Sequence, residues 1–231
     1  MTKKGIILVL LSLILVEVNC QTNFPAIRDN ITLLPPNDKK AIAVALLISG
    51  DGGWNSFDNS IGKYLSQNNI GIAGLNARTY FWKKKTINEI IKDILPVITS
   101  CKQQWNTSKF ILIGYSFGAC IVPFIANALP ENSKPVAVYC LSPSRTIDFE
   151  IHISDMLSIP GFKDKYDVLE EMKKLKSIPS FCFFGDEESL SLRDDFVETR
   201  AKITILPGNH HYNYNTILVA ESILFEINNV R

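Results

Sequence analysis

A serine at the apex of a predicted strand-turn-helix unit is the first candidate for chemistry in this chain. Ser116 lies in the motif GYSFG at 114–118, between an apolar run at 110–113 and a second apolar run at 119–129. This is the context of a G-x-S-x-G nucleophile elbow, a sharp turn that exposes a serine hydroxyl at the end of a strand. Glycine is needed at both ends of the motif because side chains there would collide with the neighbouring strand and helix. The pattern predicts that Ser116 is a nucleophile.

A serine hydroxyl needs a base that titrates near neutral pH, and imidazole meets this need. The chain has three histidines, and two of them, His210 and His211, lie in the segment PGNHHY at 207–212. This segment follows the last predicted strand. The order nucleophile, acid, histidine is the order of hydrolases that carry such an elbow. We predict His210 as the base, with His211 as the alternative.

A carboxylate must hold the imidazole in the correct tautomer and stabilise its cation. Acidic residues follow a predicted strand that ends at Phe184, in the segment GDEE at 185–188. In hydrolases with a G-x-x-D/E turn at this point, the acid is the third residue after the glycine. This favours Glu188 and leaves Asp186 as the alternative acid.

Backbone N–H groups are expected to stabilise the oxyanion. One comes from an early loop and the other from the residue after the nucleophile. The segment SGDGGW at 49–54 is this early loop, and its glycines let the backbone approach a substrate closely. We therefore expect the N–H groups of Asp51 and Phe117 to be the donors. A phosphate-binding loop is the weaker interpretation, because no Lys-Ser/Thr pair follows.

Alternating strands and helices must bring these residues together. Continuous apolar runs such as 41–48 and 136–141 are typical of buried parallel strands. Amphipathic helices are predicted between such runs, and one of them begins with a capping box of Thr86 and Glu89. This alternation predicts a mostly parallel central sheet flanked by helices on both faces, with its chemistry at the carboxyl ends of the strands. Further predicted segments are an edge strand at 27–34, strands at 70–75, 180–184 and 202–206, and helices at 57–67, 87–105, 166–175, 194–199 and 216–227.

The first residues are typical of a secretory signal. Lys3 and Lys4 precede a short apolar stretch at 5–16, which is too short to span a bilayer. We predict a signal peptide at 1–20 and a periplasmic or otherwise extracytoplasmic location. Cleavage after Cys20 and lipid modification of Cys20 are both left open. The predicted domains after the signal are an N-terminal extension at 21–39 and a hydrolase domain at 40–231.

Composition excludes several classes of partner and cofactor. The net charge of +1 gives no reason to expect a nucleic-acid partner. No Cys/His spacing resembles a zinc site, and we expect neither a metal nor a cofactor. Two of the remaining cysteines lie in strand-like segments, which favours buried free thiols over disulfides. These remaining cysteines are Cys101, Cys120, Cys140 and Cys182.

Several motifs together resemble the bacterial virulence protein VirJ/AcvB family, over nearly all of residues 40–231. They are SGDGGW at 49–54, YFW at 80–82, LIGYSFGA at 112–119, PF at 123–124 and PGNHHY at 207–212. The resemblance implies an α/β-hydrolase fold outside the inner membrane, with Ser116 as nucleophile and His210 as base. It also implies hydrolysis of aminoacylated phosphatidylglycerol, such as the lysyl form, and a link to virulence-related secretion. From its length, the irregular segment 143–165 predicts a minimal lid.

Two functional hypotheses follow. The first is an extracytoplasmic serine hydrolase whose partner is an ester substrate, including an anionic aminoacylated membrane lipid. The cations at 83–85 would then provide peripheral contact with the membrane surface, although a solvated basic turn explains them equally well. The alternative is a non-catalytic binding protein that has kept the hydrolase fold and assists secretion or virulence.

Overall fold

A computed structural model describes residues 27–151 and 166–230. The predicted signal peptide, Cys20 and the start of the predicted extension at 21–39 lie outside these ranges. His152 and most of the predicted segment 143–165 also lie outside them, so the size of the lid stays a prediction.

One central, mostly parallel sheet organises the described part of the chain. The strands are β1 (Ile31–Leu34), β2 (Ala43–Ile48), β3 (Ile70–Leu75), β4 (Phe110–Tyr115), β5 (Ala137–Leu141), β6 (Thr146–Ile147), β7 (Tyr166–Asp167), β8 (Ser180–Gly185) and β9 (Lys202–Leu206). Seven of them form the sheet in the order β1-β3-β2-β4-β5-β8-β9, and β6 and β7 form a separate antiparallel pair. Only β1 is antiparallel to its neighbour in the large sheet. The predicted sheet type is confirmed.

Helices pack on both faces of this sheet, as predicted. They are α1 (Ser56–Gln67), α2 (Ala77–Tyr80), α3 (Ile87–Gln104), α4 (Phe117–Ala128), α5 (Val168–Lys173), α6 (Leu190–Val197) and α7 (Thr216–Asn229). Helices α1 and α7 share one buried apolar cluster, while α3, α4 and α5 share the other. The two clusters lie on opposite faces because side chains alternate along each strand. In β2, for example, Leu46 belongs to one cluster and Leu47 to the other.

Capping residues in the sequence mark the starts of two helices. At the start of α3, Thr86 Oγ1 accepts the Glu89 N–H at 3.3 Å, and Glu89 Oε2 accepts the Thr86 N–H at 2.8 Å. This is the predicted capping box. A second capping box, formed by Asn55 and Asp58, begins α1.

Two helix predictions were wrong in their bounds. The helix predicted at 194–199 runs from Leu190 to Val197, and both of these end residues are exposed. Only Phe196 is buried in α6, so the segment has no apolar periodicity that could mark its start. The helix predicted at 166–175 is shorter because its first two residues pair with β6 as strand β7. The short α2 and the β6–β7 pair were not predicted, since neither is long enough to show a period.

Cys120, Cys140 and Cys182 are buried free thiols, as predicted, and Cys101 is buried too. Among the described residues, no helix is long and apolar enough to cross a membrane. No cluster of three or more His, Cys, Asp or Glu side chains in the described ranges could hold a metal ion.

Candidate active site

Ser116 stands at a strained turn between β4 and α4. Its φ of 52° and ψ of −110° are rare for a residue with a side chain. The turn requires glycine on both sides. A Cβ on Gly114 would lie 2.3 Å from the Gly118 carbonyl carbon, and a Cβ on Gly118 would lie 2.1 Å from the Ile48 oxygen. The Ser116 N–H donates to the Leu141 carbonyl at 2.8 Å, which ties the turn to the neighbouring strand.

The structure brings together the three side chains that were first choices from the sequence. Ser116 Oγ lies 2.9 Å from His210 Nε2. On the other side of the ring, His210 Nδ1 lies 2.9 Å from Glu188 Oε1. Hydroxyl, imidazole and carboxylate therefore form one continuous hydrogen-bonded line, the arrangement that a Ser-His-acid mechanism needs.

Glu188 is held as a buried carboxylate behind His210. Its side chain is only 8% exposed, and its Oε2 accepts the Gly185 N–H at 2.7 Å and the Ser142 hydroxyl at 2.8 Å. Burial works to raise the pKa of Glu188. The hydrogen bonds from His210, Gly185 and Ser142 outweigh burial, so the net pKa is lowered. The group is ionised at neutral pH and can stabilise an imidazolium.

Asp186, the alternative acid, has a different contact. It is exposed, and its Oδ1 accepts the Gly208 N–H at 2.8 Å. Its carboxylate thus supports the backbone of the loop that carries His210, and no hydrogen bond joins it to the imidazole. The structure does not place Asp186 in line with Ser116.

His211, the alternative base, forms part of the cleft wall. Its Nδ1 makes a short hydrogen bond with the Tyr115 hydroxyl, and its ring stacks on Tyr214 with centroids 5.4 Å apart. Burial first, and then the nearby charge of His210, lower the pKa of His211. With one nitrogen bonded to Tyr115, His211 is held beside the line that starts at Ser116, not in it.

The two predicted oxyanion donors lie on either side of Ser116. Ser49, buried at the end of β2, accepts the Ala77 N–H at 3.0 Å and so fixes the start of the glycine-rich loop. A Cβ on Gly50 would lie 3.5 Å from the Ser116 Cβ, so this loop passes directly over the serine. In the part of the chain described here, the N–H groups of Asp51 and Phe117 have no acceptor. Both are available to a substrate oxygen, and Phe117 adds the positive end of the α4 dipole.

A cleft of about 470 Å³ opens above Ser116 and His210. Its walls carry the Asp51 carboxylate and aromatic rings from Phe57, Tyr115 and Tyr214. No ion pair involves Asp51 among the described residues. The site therefore offers one carboxylate without an ion pair and several rings next to Ser116.

The aromatic and basic segment at 80–85 only partly fits the hypothesis of membrane contact. Trp82 is 48% exposed. Lys84 Nζ lies 3.8 Å from Asp148, and Lys85 Nζ lies 3.7 Å from Asp93. Two of the three lysines thus have carboxylate partners, which reduces the positive charge that this segment offers to an anionic surface.

Neither the rings of the cleft wall nor two residues behind Glu188 were identified from the sequence. Ser142 follows β5 and Tyr212 follows the histidine pair, and both side chains are buried behind Glu188. The position of Ser142, directly after a strand at the carboxyl edge of the sheet, was the available signal.

Comparisons with known proteins agree with this fold. A family model described as bacterial virulence protein (VirJ) matches residues 42–231. No curated protein sequence matches the chain at a significant level.

Solved structures give the same fold at low sequence identity. Est1E from Butyrivibrio proteoclasticus is similar with a TM-score of 0.60, 16% identity, and coverage of 85% of this chain and 93% of Est1E. A lipase-esterase related protein from Clostridium acetobutylicum has a TM-score of 0.59 and 18% identity, over 87% of this chain and all of that protein (100%). MenH from S. aureus has a TM-score of 0.63 and 9% identity, over 87% and 98% of the two chains. At such identities the likeness establishes the α/β-hydrolase fold.

Proposed function

The chain belongs to the bacterial virulence protein (VirJ) family, and from its site we propose that it is a serine hydrolase that cleaves carboxylic esters. The observation that carries this proposal is the hydrogen-bonded line from Ser116 through His210 to Glu188, with 2.9 Å at both contacts of the imidazole. The fold alone would not support it, because hydrolase folds also serve functions without chemistry.

The geometry supports a two-step acyl transfer. Ser116 Oγ attacks the ester carbonyl while His210 Nε2 takes its proton, and Glu188 stabilises the imidazolium. The N–H groups of Asp51 and Phe117 stabilise the tetrahedral oxyanion. His210 then gives the proton to the leaving alcohol, and an acyl-enzyme forms on Ser116. A water molecule, deprotonated by His210, attacks the acyl carbonyl; His210 returns the proton to the leaving Ser116 Oγ, and the acid is released.

For the substrate we propose an aminoacylated phosphatidylglycerol, such as the lysyl form. Such a lipid carries an ester carbonyl next to a primary ammonium group. The Asp51 carboxylate and the exposed ring of Tyr214 suit that cation, by charge and by cation–π attraction. An extracytoplasmic location, and contact with the membrane through Trp82 and Lys83, belong to the same proposal.

The first experiment measures hydrolysis of a p-nitrophenyl ester and labelling by a fluorophosphonate probe. We expect the wild-type protein to show both, Ser116→Ala to show neither, and Ser60→Ala, an exposed serine on α1, to behave as wild type. Labelling of Ser116→Ala at the wild-type level would contradict the proposed nucleophile.

The second experiment tests the lipid. Vesicles that contain lysyl-phosphatidylglycerol should release free lysine with the wild-type protein and none with Ser116→Ala. Cleavage of the p-nitrophenyl ester without lysine release would support the proposed hydrolase activity and contradict the proposed lipid substrate. Absence of both activities from a folded protein would favour the alternative, a binding protein that assists secretion.

A further inference from the structure

Two buried hydroxyl groups stand directly behind the carboxylate of Glu188. Ser142 Oγ lies 2.8 Å from Glu188 Oε2 and 2.8 Å from the Tyr212 hydroxyl. The Tyr212 hydroxyl also lies 3.0 Å from the Phe183 carbonyl oxygen on β8. Ser142 is 1% exposed and Tyr212 is 0% exposed, so both hydroxyl groups are shielded from bulk solvent.

The direction of these hydrogen bonds follows from counting protons. An ionised carboxylate only accepts, so the single proton of Ser142 is donated to Glu188. The Tyr212 hydroxyl has one proton and two acceptors within reach, the Phe183 carbonyl oxygen at 3.0 Å and Ser142 Oγ at 2.8 Å. Ser142 therefore donates to Glu188 while its oxygen lies against the Tyr212 hydroxyl, and this pair extends the line of contacts that begins at Ser116.

The backbone at both residues is held in an unusual conformation. Ser142 has a φ of 50°, and Tyr212, Asn213 and Tyr214 have φ values of 54°, 49° and 59°. Residues with side chains seldom adopt positive φ, and they keep it only where the surrounding structure determines it. Here the Ser142 N–H donates to the Phe183 carbonyl at 2.8 Å, and the conformation turns the Ser142 hydroxyl towards Glu188.

We propose that Ser142 and Tyr212 are positioning residues of the active site, which hold the Glu188 carboxylate in the orientation that receives the His210 Nδ1–H. The proposal rests on the proposed function. Glu188 Oε2 is held by Gly185 and Ser142, which leaves Oε1 for the imidazole. Without Ser142, one of the two anchors of Oε2 is lost, and the carboxylate is oriented less precisely while it keeps its hydrogen bond to the ring.

A loss of this anchor has an electrostatic consequence that can be measured. The Ser142 hydrogen bond is one of the contacts that lower the pKa of Glu188. Without it, the carboxylate becomes more basic and attracts a protonated imidazole more strongly. The acid limb of the pH dependence of kcat/KM should then move to higher pH, by roughly half a pH unit. The other titratable groups near the ring, His211 and Asp51, are unchanged by the substitution.

The main variant is Ser142→Gly, because glycine removes the hydroxyl and accepts the positive φ without strain. We expect kcat to fall about 10- to 100-fold, KM to stay within about twofold, and the acid limb to move upward. Tyr212→Phe keeps the ring and removes only the second hydroxyl, so it should show the same changes to a smaller extent.

Thr199→Val is the matched control. Thr199 is also buried, and its hydroxyl donates to the Phe196 carbonyl at 2.6 Å, away from the cleft. The Thr199→Val substitution should lower the midpoint temperature of unfolding and leave kcat and the pH dependence of kcat/KM unchanged. If Ser142→Gly keeps wild-type kcat and pH profile, or if Thr199→Val changes them equally, the positioning role is wrong.

An NMR titration gives a measurement that does not require turnover. The chain has only three histidines, so the His210 resonances can be assigned by substitution. Ser142→Gly should raise the pKa of His210, whereas Thr199→Val should not. If the wild-type protein shows no esterase activity but Ser142→Gly still shifts the pKa of His210, the proposed function is wrong and the positioning role stands. An unchanged pKa in Ser142→Gly would overturn the positioning role, whatever the activity.

Discussion

Asp186 and Gly208 are joined by a hydrogen bond of 2.8 Å, from the Gly208 N–H to the Asp186 carboxylate. This bond connects the turn that carries Glu188 to the loop that carries His210. The two loops also approach closely enough that a Cβ on Gly185 would lie 2.2 Å from the Gly208 carbonyl oxygen. The distance between acid and base is therefore set by direct contact between their loops.

Substitutions at the two acids should have clearly different effects. Glu188→Gln removes the negative charge that stabilises the imidazolium, and we expect kcat to fall by about 10³- to 10⁴-fold. Asp186→Asn keeps an acceptor for the Gly208 N–H and should lower kcat by less than about tenfold. Steady-state kinetics on a p-nitrophenyl ester measure both. Equal losses in the two variants would contradict the assignment of Glu188.

The two histidines should also be separable. His210→Asn should abolish turnover, since no other base contacts Ser116 Oγ in the described structure. His211→Asn removes a wall of the cleft and its contact with Tyr115, so we expect a raised KM and a kcat within about fivefold of wild type. A complete loss of activity in a folded His211→Asn protein would show that the base was assigned wrongly.

Asp58 predicts a specific dependence of stability on pH. This side chain is 1% exposed and its Oδ1 has no hydrogen-bond partner among the described residues. Burial raises the pKa of Asp58 to about 6. Because the folded state binds this proton more tightly than the unfolded chain, Asp58 destabilises the fold as pH rises from about 4 to above 6. The cost at neutral pH is about 3 kcal/mol.

The variant Asp58→Asn tests whether Asp58 destabilises the fold as pH rises. Urea unfolding at pH 4.5 and pH 7.5 should show the variant gaining stability relative to wild type at the higher pH, by up to about 3 kcal/mol. Comparing the two proteins at each pH cancels the contribution of all other groups. A difference between the proteins that does not change with pH would contradict the raised pKa.

Gly118 should tolerate no side chain. Its missing Cβ would meet the backbone oxygen of Ile48 at 2.1 Å, and neither β2 nor α4 can retreat without opening the core. Gly118→Ala should therefore yield little soluble protein, or a protein with a much lower thermal midpoint. Gly52→Ala is the control, because its nearest neighbour, Asn55 Nδ2, lies 3.8 Å away. A Gly118→Ala protein as stable as wild type would disprove the close approach.

Much of this architecture was predictable because its signals are local. Strand β3 was predicted with its observed bounds because it is fully buried and reads as one apolar run between polar turns. The edge strand β9 was also predicted with its observed bounds, from its β-branched residues. The capping box at Thr86 was predictable because the contact spans three residues. The elbow at Ser116 was predictable because the turn admits only glycine at both flanking positions.

Other features had no local signal. The helix α6 has one buried residue, so nothing periodic marked its start. The lysines at 84 and 85 read as free cations in the sequence, but each has a carboxylate partner at a distant position in the chain or on the next helix. Pairing of this kind depends on where loops meet, and no spacing in the sequence encodes it.

The sequence by itself determined the type of sheet, the nucleophile turn and the order in which nucleophile, acid and histidine occur, because sterics and side-chain period act over a few residues. Only the tertiary structure shows that Glu188, and not Asp186, contacts His210, and that Ser142 lies behind Glu188. These contacts are hydrogen bonds between residues that are 22 positions apart (Glu188 and His210) and 46 positions apart (Ser142 and Glu188) in the sequence. Such bonds form only when parallel strands bring the ends of separate loops to one edge of the sheet.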